Sequence, residues 1–236
     1  MSVSPSGVPS ATSRGIDIAL GGRTIAAGLS FDVPERETLC VLGRSGVGKS
    51  SLLRWLAGLL PGSPARTDVA WMAQQDLLLP WASVLENVVV GYRLRGAPAP
   101  LDRARALLAD VGLADRVDDL PAALSGGMRQ RAALARTICE DRPVVLMDEP
   151  FAQLDAITRL DLQDLAARLL VGRTVVLVTH DPMEALRLGH EVRVVAGPPL
   201  SIAHRTRPAG CPPRNPGAPA LLTEQGALLA TLRGAP

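Results

Sequence analysis

Apolar and polar positions divide this chain into short runs that suit strands and longer periodic stretches that suit helices. Three runs are apolar without a break and too short for a helix: Leu39-Cys40-Val41-Leu42, Val144-Val145-Leu146-Met147, and Val175-Val176-Leu177-Val178 after Thr174. Such runs belong to strands covered on both faces, as in a parallel sheet. Residues 69–73 and 191–195 read as two more strands. Residues 16–33 alternate loosely between apolar and small or polar side chains around Gly21-Gly22, which predicts a hairpin leading through Pro34 into a strand at 38–42. Helical spacing appears over 52–60, 84–94, 101–111, 113–120, 132–136, 156–170 and 182–188. Strands alternating with helices predict an α/β fold with a mostly parallel sheet core, a small antiparallel β part and a helical insertion over about 77–141.

The two ends differ in texture from this middle. Residues 1–15 are rich in Ser, Pro and Gly and lack an apolar h-region, so a flexible tail and not a signal peptide is expected ahead of a folded unit over 16–200. Residues 201–236 read as a Pro/Gly-rich C-terminal tail with a short helix over 221–232. A hydrophobic content of 47% over 236 residues is ample for a core. A formal charge of +2, with no block of like charge, argues against nucleic acid as a partner. Cys40, Cys139 and Cys211 lie far apart, which suggests neither a disulfide framework nor a zinc site and fits a reducing cytoplasm. No run approaches membrane-spanning length, so any membrane role is expected to be peripheral.

Chemistry enters at the end of the first apolar run. There Gly43-Arg44-Ser45-Gly46-Val47-Gly48-Lys49-Ser50 joins the strand to a helical stretch, the setting a P-loop needs. Its glycines let successive backbone N–H groups point at phosphate oxygens, and the helix adds the positive end of its dipole. Lys49 would reach the β and γ phosphates, Ser50 would ligate Mg²⁺, and Ser51 continues the helix start. The plain alternative is a glycine turn that only links strand to helix.

Other polar groups also sit where strands or helices begin and end. Gln74-Gln75 follows the strand at 69–73, a position that suits a solvated terminus as well as a site. Leu124-Ser125-Gly126-Gly127-Met128-Arg129-Gln130-Arg131 leads into a strong helix former, with Ser125 as cap. This is either a second anion-binding helix start, implying two ligands or two chains sharing one, or an ordinary capped helix. Asp148-Glu149 closes the second buried run, and Thr179-His180-Asp181 closes the third. Asp148 is a candidate Mg²⁺ ligand and Glu149 a candidate general base. Three strands that end in Gly/Lys/Ser, Asp/Glu and His favour one shared site at the sheet edge.

In this order and spacing the motifs resemble the ATP-binding subunit of ABC transporters, over about 16–199. Residues 43–50 are similar to the Walker A motif, Gln74 to the Q-loop glutamine (with Gln75 as register alternative), and Ser125, Gly126 and Gly127 to the family signature. Val144 to Asp148 resembles Walker B with Glu149 as the catalytic glutamate, Leu154-Asp155 the D-loop, and His180 the switch histidine. The resemblance implies an ABC-type P-loop fold that binds ATP and Mg²⁺, with Gln74 sensing the metal and Lys49 and His180 stabilising charge at the γ-phosphate. It further implies a homodimer in which Ser125-Gly126-Gly127 and Asp155 of one chain complete the ATP site of the other. Expected partners are a membrane permease, met by the helical insertion near Trp81, and indirectly a solute-binding protein. The expected location is the cytoplasmic face of the inner membrane.

Two features depart from the family: Leu20 stands where an aromatic residue would stack on adenine, and the segment between Leu60 and Gln74 is short. Leu78-Leu79-Pro80-Trp81 and Leu154-Asp155-Ala156-Ile157-Thr158-Arg159 look like the nitrate, sulfonate and taurine importer branch. Residues 72–81 and 43–48 look closest to subunits assigned to uptake of hydroxymethylpyrimidine, a thiamine precursor. The rivals are a P-loop kinase, which has no need of the 124–130 signature, and a soluble ABC ATPase, which would carry a tandem cassette or a coiled-coil insertion.

Overall fold

The computed structural model describes residues 13–234. Its first elements are two antiparallel strands, β1 (Ser13–Leu20) and β2 (Arg23–Phe31), joined through Gly21 and Gly22 at φ 56° and 76°. Positive φ at both central residues suits a tight hairpin and favours glycine there. The expected hairpin is thus present. Its first strand begins at Ser13, inside the span expected as a tail, and residues 1–12 lie outside the described residues.

The central sheet has six strands: β3 (Thr38–Leu42), β4 (Val69–Met72), β5 (Val144–Asp148), β6 (Thr174–Thr179), β7 (Glu191–Ala196) and β8 (Ser201–Thr206), in the order β4-β5-β6-β3-β7-β8. All neighbours are parallel except β7 and β8. The unbroken apolar runs are explained by what covers them. In β3 the side chains of Cys40 and Leu42 join one core and those of Leu39 and Val41 the other, and β5 and β6 alternate in the same way. One core packs the sheet against the helical insertion and the later helices. The opposite core packs it against the first hairpin and helix α1 (Lys49–Leu56).

Helix α1 starts three residues earlier than the sequence pattern suggests and stops short of Leu60, because the chain turns at Gly58 with φ 78°. In the insertion, the stretch expected as one helix over 84–94 is two, α2 (Val84–Val88) and α3 (Val90–Leu94), interrupted at Val89. Ser83 and Glu86 form a reciprocal capping box at the start of α2. Helix α4 (Leu101–Asp110) follows, and residues 113–120 hold a single 3₁₀ turn instead of a helix. Then come α5 (Gly126–Cys139), α6 (Ala156–Leu169) and α7 (Pro182–Leu188).

Residues 201–236, expected as a tail, depart most from the sequence reading. Strand β8 extends the sheet and α8 (Pro219–Gly234) buries Leu221 and Leu228 against the core that carries α7. Between them Arg214, 7% exposed, donates to the carbonyls of Leu186, Pro208, Ala209, Gly210 and Gly189. That cage ties an irregular segment to the end of α7. Among the described residues no helix is long and apolar enough to cross a membrane.

Candidate nucleotide-binding site

Strand register brings the chemical residues to one edge. Leu42 at the end of β3 pairs with Thr179 of β6, and Asp148 at the end of β5 pairs with Val178. Gly43, Glu149 and His180 therefore leave the sheet side by side. Met72 of β4 pairs with Met147, so Gln74 leaves at this edge too. Gln74 and Gln75 are both exposed.

The loop over 43–48 is shaped by its glycines. Gly46 and Gly48 have φ of 80° and 114°, and a Cβ on Gly43 would stand 2.8 Å from the Val195 carbonyl oxygen. Only glycine fits these three positions without strain or clash. Arg44, Ser45 and Gly46 are exposed at the tip, whereas Val47 turns into the core, and Ser51 lies half-buried in the first turn of α1.

Lys49 is buried, with Nζ donating to the carbonyls of Gly43 at 2.8 Å and Arg44 at 3.0 Å. Burial pulls its pKa down, while the neighbouring Glu149 and Asp148 hold it up. Its ammonium stands 3.8 Å from Glu149 Oε1. Ser50 donates from Oγ to Asp148 Oδ1 at 2.9 Å. Burial pushes the Asp148 carboxyl upward, opposed by that hydrogen bond. Glu149 Oε2 lies 3.0 Å from His180 Nδ1, so this carboxylate spans the gap between Lys49 and His180. Its backbone has φ 47°, rare for a non-glycine residue, with its N–H fixed on the Val178 carbonyl at 2.9 Å. Strain of this kind gathers at functional sites.

The Ser50 and Asp148 oxygens suit Mg²⁺, a hard cation that takes one or two protein oxygens and fills its octahedron from phosphate and water. Among the described residues no group of three or more His, Cys, Asp or Glu side chains is placed to hold a metal alone.

The remaining expected residues form a second place. Ser125 caps α5, accepting from the Met128 N–H at 3.3 Å, and Ser125 and Gly126 are exposed. A Cβ on Gly127 would lie 2.7 Å from Thr158 Cγ2, so this helix start packs against the first turn of α6. Asp155 caps that helix through bonds from Ile157 and Thr158 N–H. Among the described residues no hydrogen bond joins Ser125, Gly126, Gly127 or Asp155 to residues 43–50.

Sequence reasoning passed over Glu184. This carboxyl is buried on α7, accepts from Gln163 Nε2 at 3.2 Å, and has its pKa raised to about 7, mainly by burial. No usable signal marked it in the chain, because a glutamate three residues after a helix cap would be expected to turn back to the cap, whereas Glu184 turns inward to Gln163.

Two groups of residues, a glycine loop with its lysine and a capped glycine helix start, suit the family whose sequence pattern matches residues 26–152, described as ABC transporter. The chain belongs to the ABC transporter family of ATP-binding proteins. An aliphatic sulfonates import ATP-binding protein of Mesorhizobium japonicum is 39% identical over 236 residues, 94% of this chain and 88% of the relative. One of Agrobacterium fabrum is 44% identical over 189 residues, 74% of this chain and 71% of the relative. An ABC transporter ATP-binding protein of Haemophilus influenzae is 39% identical, covering 93% of this chain and 97% of its own length. In fold the chain is similar to cbiO1 from Clostridium perfringens, with a TM-score of 0.71, 22% identity, and coverage of 84% and 88% of the two chains. ABC membership agrees with the ABC-type P-loop fold and sets the kinase alternative aside.

Proposed function

We propose that this protein is the ATP-hydrolysing, energy-coupling subunit of an ABC importer. It works as a head-to-tail pair on the cytoplasmic face of the cell membrane, joined to a separate permease and through it to a solute-binding protein. The observation that carries the reading is the split between two half-sites. Lys49, Ser50, Asp148, Glu149 and His180 converge on one edge, while Ser125, Gly126 and Asp155 face solvent elsewhere, with Gly127 half-buried beside them. A nucleotide held between the first set of one chain and the second set of its partner would close the pair, and hydrolysis would release it.

In the closed pair, loop N–H groups and Lys49 would hold the triphosphate, and Ser50 and Asp148 would hold Mg²⁺, with Gln74 sensing it. Bound Mg²⁺ would neutralise charge developing on the β and γ oxygens. Glu149 takes the proton of the attacking water, and His180 orients that carboxylate and faces the γ-phosphate. Trp81 and Leu77, 75% and 59% exposed at the start of the insertion, offer an apolar seat for a helix of the permease.

For cargo, the names of the relatives support an aliphatic sulfonate, against the hydroxymethylpyrimidine suggested by residues 72–81. The test is ATP hydrolysis by this chain assembled with its permease and binding protein in lipid, with an alkanesulfonate, taurine, nitrate and the pyrimidine added in turn. Stimulation by the sulfonate alone is expected. Stimulation by the pyrimidine alone would overturn the cargo, and absence of any ATP hydrolysis would overturn the whole reading.

A further inference from the structure

Arg159 closes the motif Leu154-Asp155-Ala156-Ile157-Thr158-Arg159, and neither phosphate binding nor metal binding uses it. It stands one helical turn into α6, four residues beyond the Asp155 cap. Its Nη2 donates backward to the Leu154 carbonyl at 2.8 Å, and its Nη1 lies 3.7 Å from Asp181 Oδ2. Asp181 directly follows His180. Its other oxygen, Oδ1, is committed to capping α7 through the N–H groups of Met183 and Glu184, so Oδ2 is the oxygen left to face the guanidinium. Arg159, Asp181, Glu149 and His180 line the same small cleft.

Deeper between the same two helices, the contact continues through buried groups. Gln163 donates to Glu184 at 3.2 Å and accepts from Arg187 Nη1 at 3.1 Å, while Arg187 Nη2 reaches Asp164 at 2.6 Å. Helices α6 and α7 are thereby bound along their length. Among the described side-chain contacts, the Arg159 fork is the one that reaches their forward ends, where the Asp155 loop and the His180 turn emerge.

We propose that Arg159 is a positioning residue for hydrolysis: bridging the Leu154 carbonyl to Asp181, it makes the His180–Glu149 contact depend on where the 154–155 loop stands. The proposal rests on the roles given above to Glu149 and His180. Asp155 belongs to the half-site that faces a partner chain, so the fork passes the partner's approach to the hydrolytic edge of the same chain. A partly exposed ion pair adds little to stability, and an unchanged thermal midpoint in the Arg159 variant separates a loss of turnover from unfolding.

The chain holds three histidines, His180, His190 and His204, so histidine-labelled protein gives a readable set of ring resonances, with His180 assigned from His180→Gln. In Arg159→Ala the His180 resonance is expected to move while the other two stay. Turnover by the full transporter should fall about tenfold or more, with KM for ATP and the thermal midpoint nearly unchanged. Arg159→Lys should recover part of the loss. Asp181→Asn keeps the helix cap, so combining it with Arg159→Ala should cost no more than Arg159→Ala alone. An unmoved His180 resonance, or losses that simply multiply in the double variant, would overturn the proposal. If the unsubstituted transporter hydrolysed no ATP, the ATPase reading would fall, whereas a His180 resonance that still moved would keep the linkage.

Discussion

The two half-sites are built in opposite ways. At the sheet edge, Lys49, Ser50, Asp148, Glu149 and His180 come from one helix start and two strand ends, and they are held by near neighbours: ammonium on carbonyls, hydroxyl on carboxylate, carboxylate against imidazole. At the α5 and α6 starts, Ser125 and Asp155 satisfy only their own helix ends and present the rest to solvent. A buried polar cluster must be internally paired to exist, since an unpaired buried charge is costly. An exposed one needs no such pairing, so it can wait for an outside ligand. On the proposed reading, the contrast means that one chain would hold a whole phosphate and metal site and only half of a catalytic one.

The strongest way to break the comparison is at Glu149. Glu149→Gln keeps the shape and the His180 neighbour yet removes the base, so turnover should fall on the order of 10²–10⁴-fold. ATP binding, measured by calorimetry, should survive. Equal loss of binding and turnover would mean that Glu149 holds the site together and does not act on water.

A smaller effect sharpens the division itself. Lys49→Ala and Ser125→Ala should each be nearly inactive, one through lost nucleotide and the other through a lost second half-site. Mixing the two variants should restore activity to about a quarter of the sites, because in a head-to-tail pair one interface then holds both intact halves. Hydrolysis by the mixed proteins checks this. No recovery would mean that both halves act within one chain.

How legible each region was in the sequence follows from the same contrast. The buried edge was readable because a parallel sheet demands unbroken apolar runs, and Gly43 to Ser50, Asp148-Glu149 and His180 each follow such a run directly. What stayed hidden was pairing across the chain. Nothing in local sequence ties Ser50 to Asp148, and the insertion's break at Val89 leaves no breaker residue to read. Residues 201–206 alternate weakly and are mostly exposed on the outermost strand, so β8 lacked an apolar signal. Arg214 was missed because its cage is made of backbone carbonyls, which carry no side-chain pattern.

The smallest expected effect concerns the group that joins the two regions from behind. Glu184 sits on the helix after His180 and accepts from Gln163 on the helix after Asp155. Its surroundings from both helices and β6 are Thr179, Asp181, Gln163 and Arg159. Burial, helped by the charge of Asp181, raises its pKa from 4.5 to about 7 against the hydrogen bonds of Thr179 and Gln163. The folded chain therefore holds a proton there that the unfolded chain gives up at lower pH. As pH rises from about 4.5 to 7 this group removes stability, and above that range the penalty is complete. Glu184→Gln keeps the size and a neutral side chain, so the variant should match the parent near the acid end. At pH 8 it should exceed the parent by ~1–3 kcal/mol in denaturant unfolding. Parallel stability curves for the two proteins across this range would mean that Glu184 is ionised at no cost, and that the buried seam between α6 and α7 is wetter than its geometry implies.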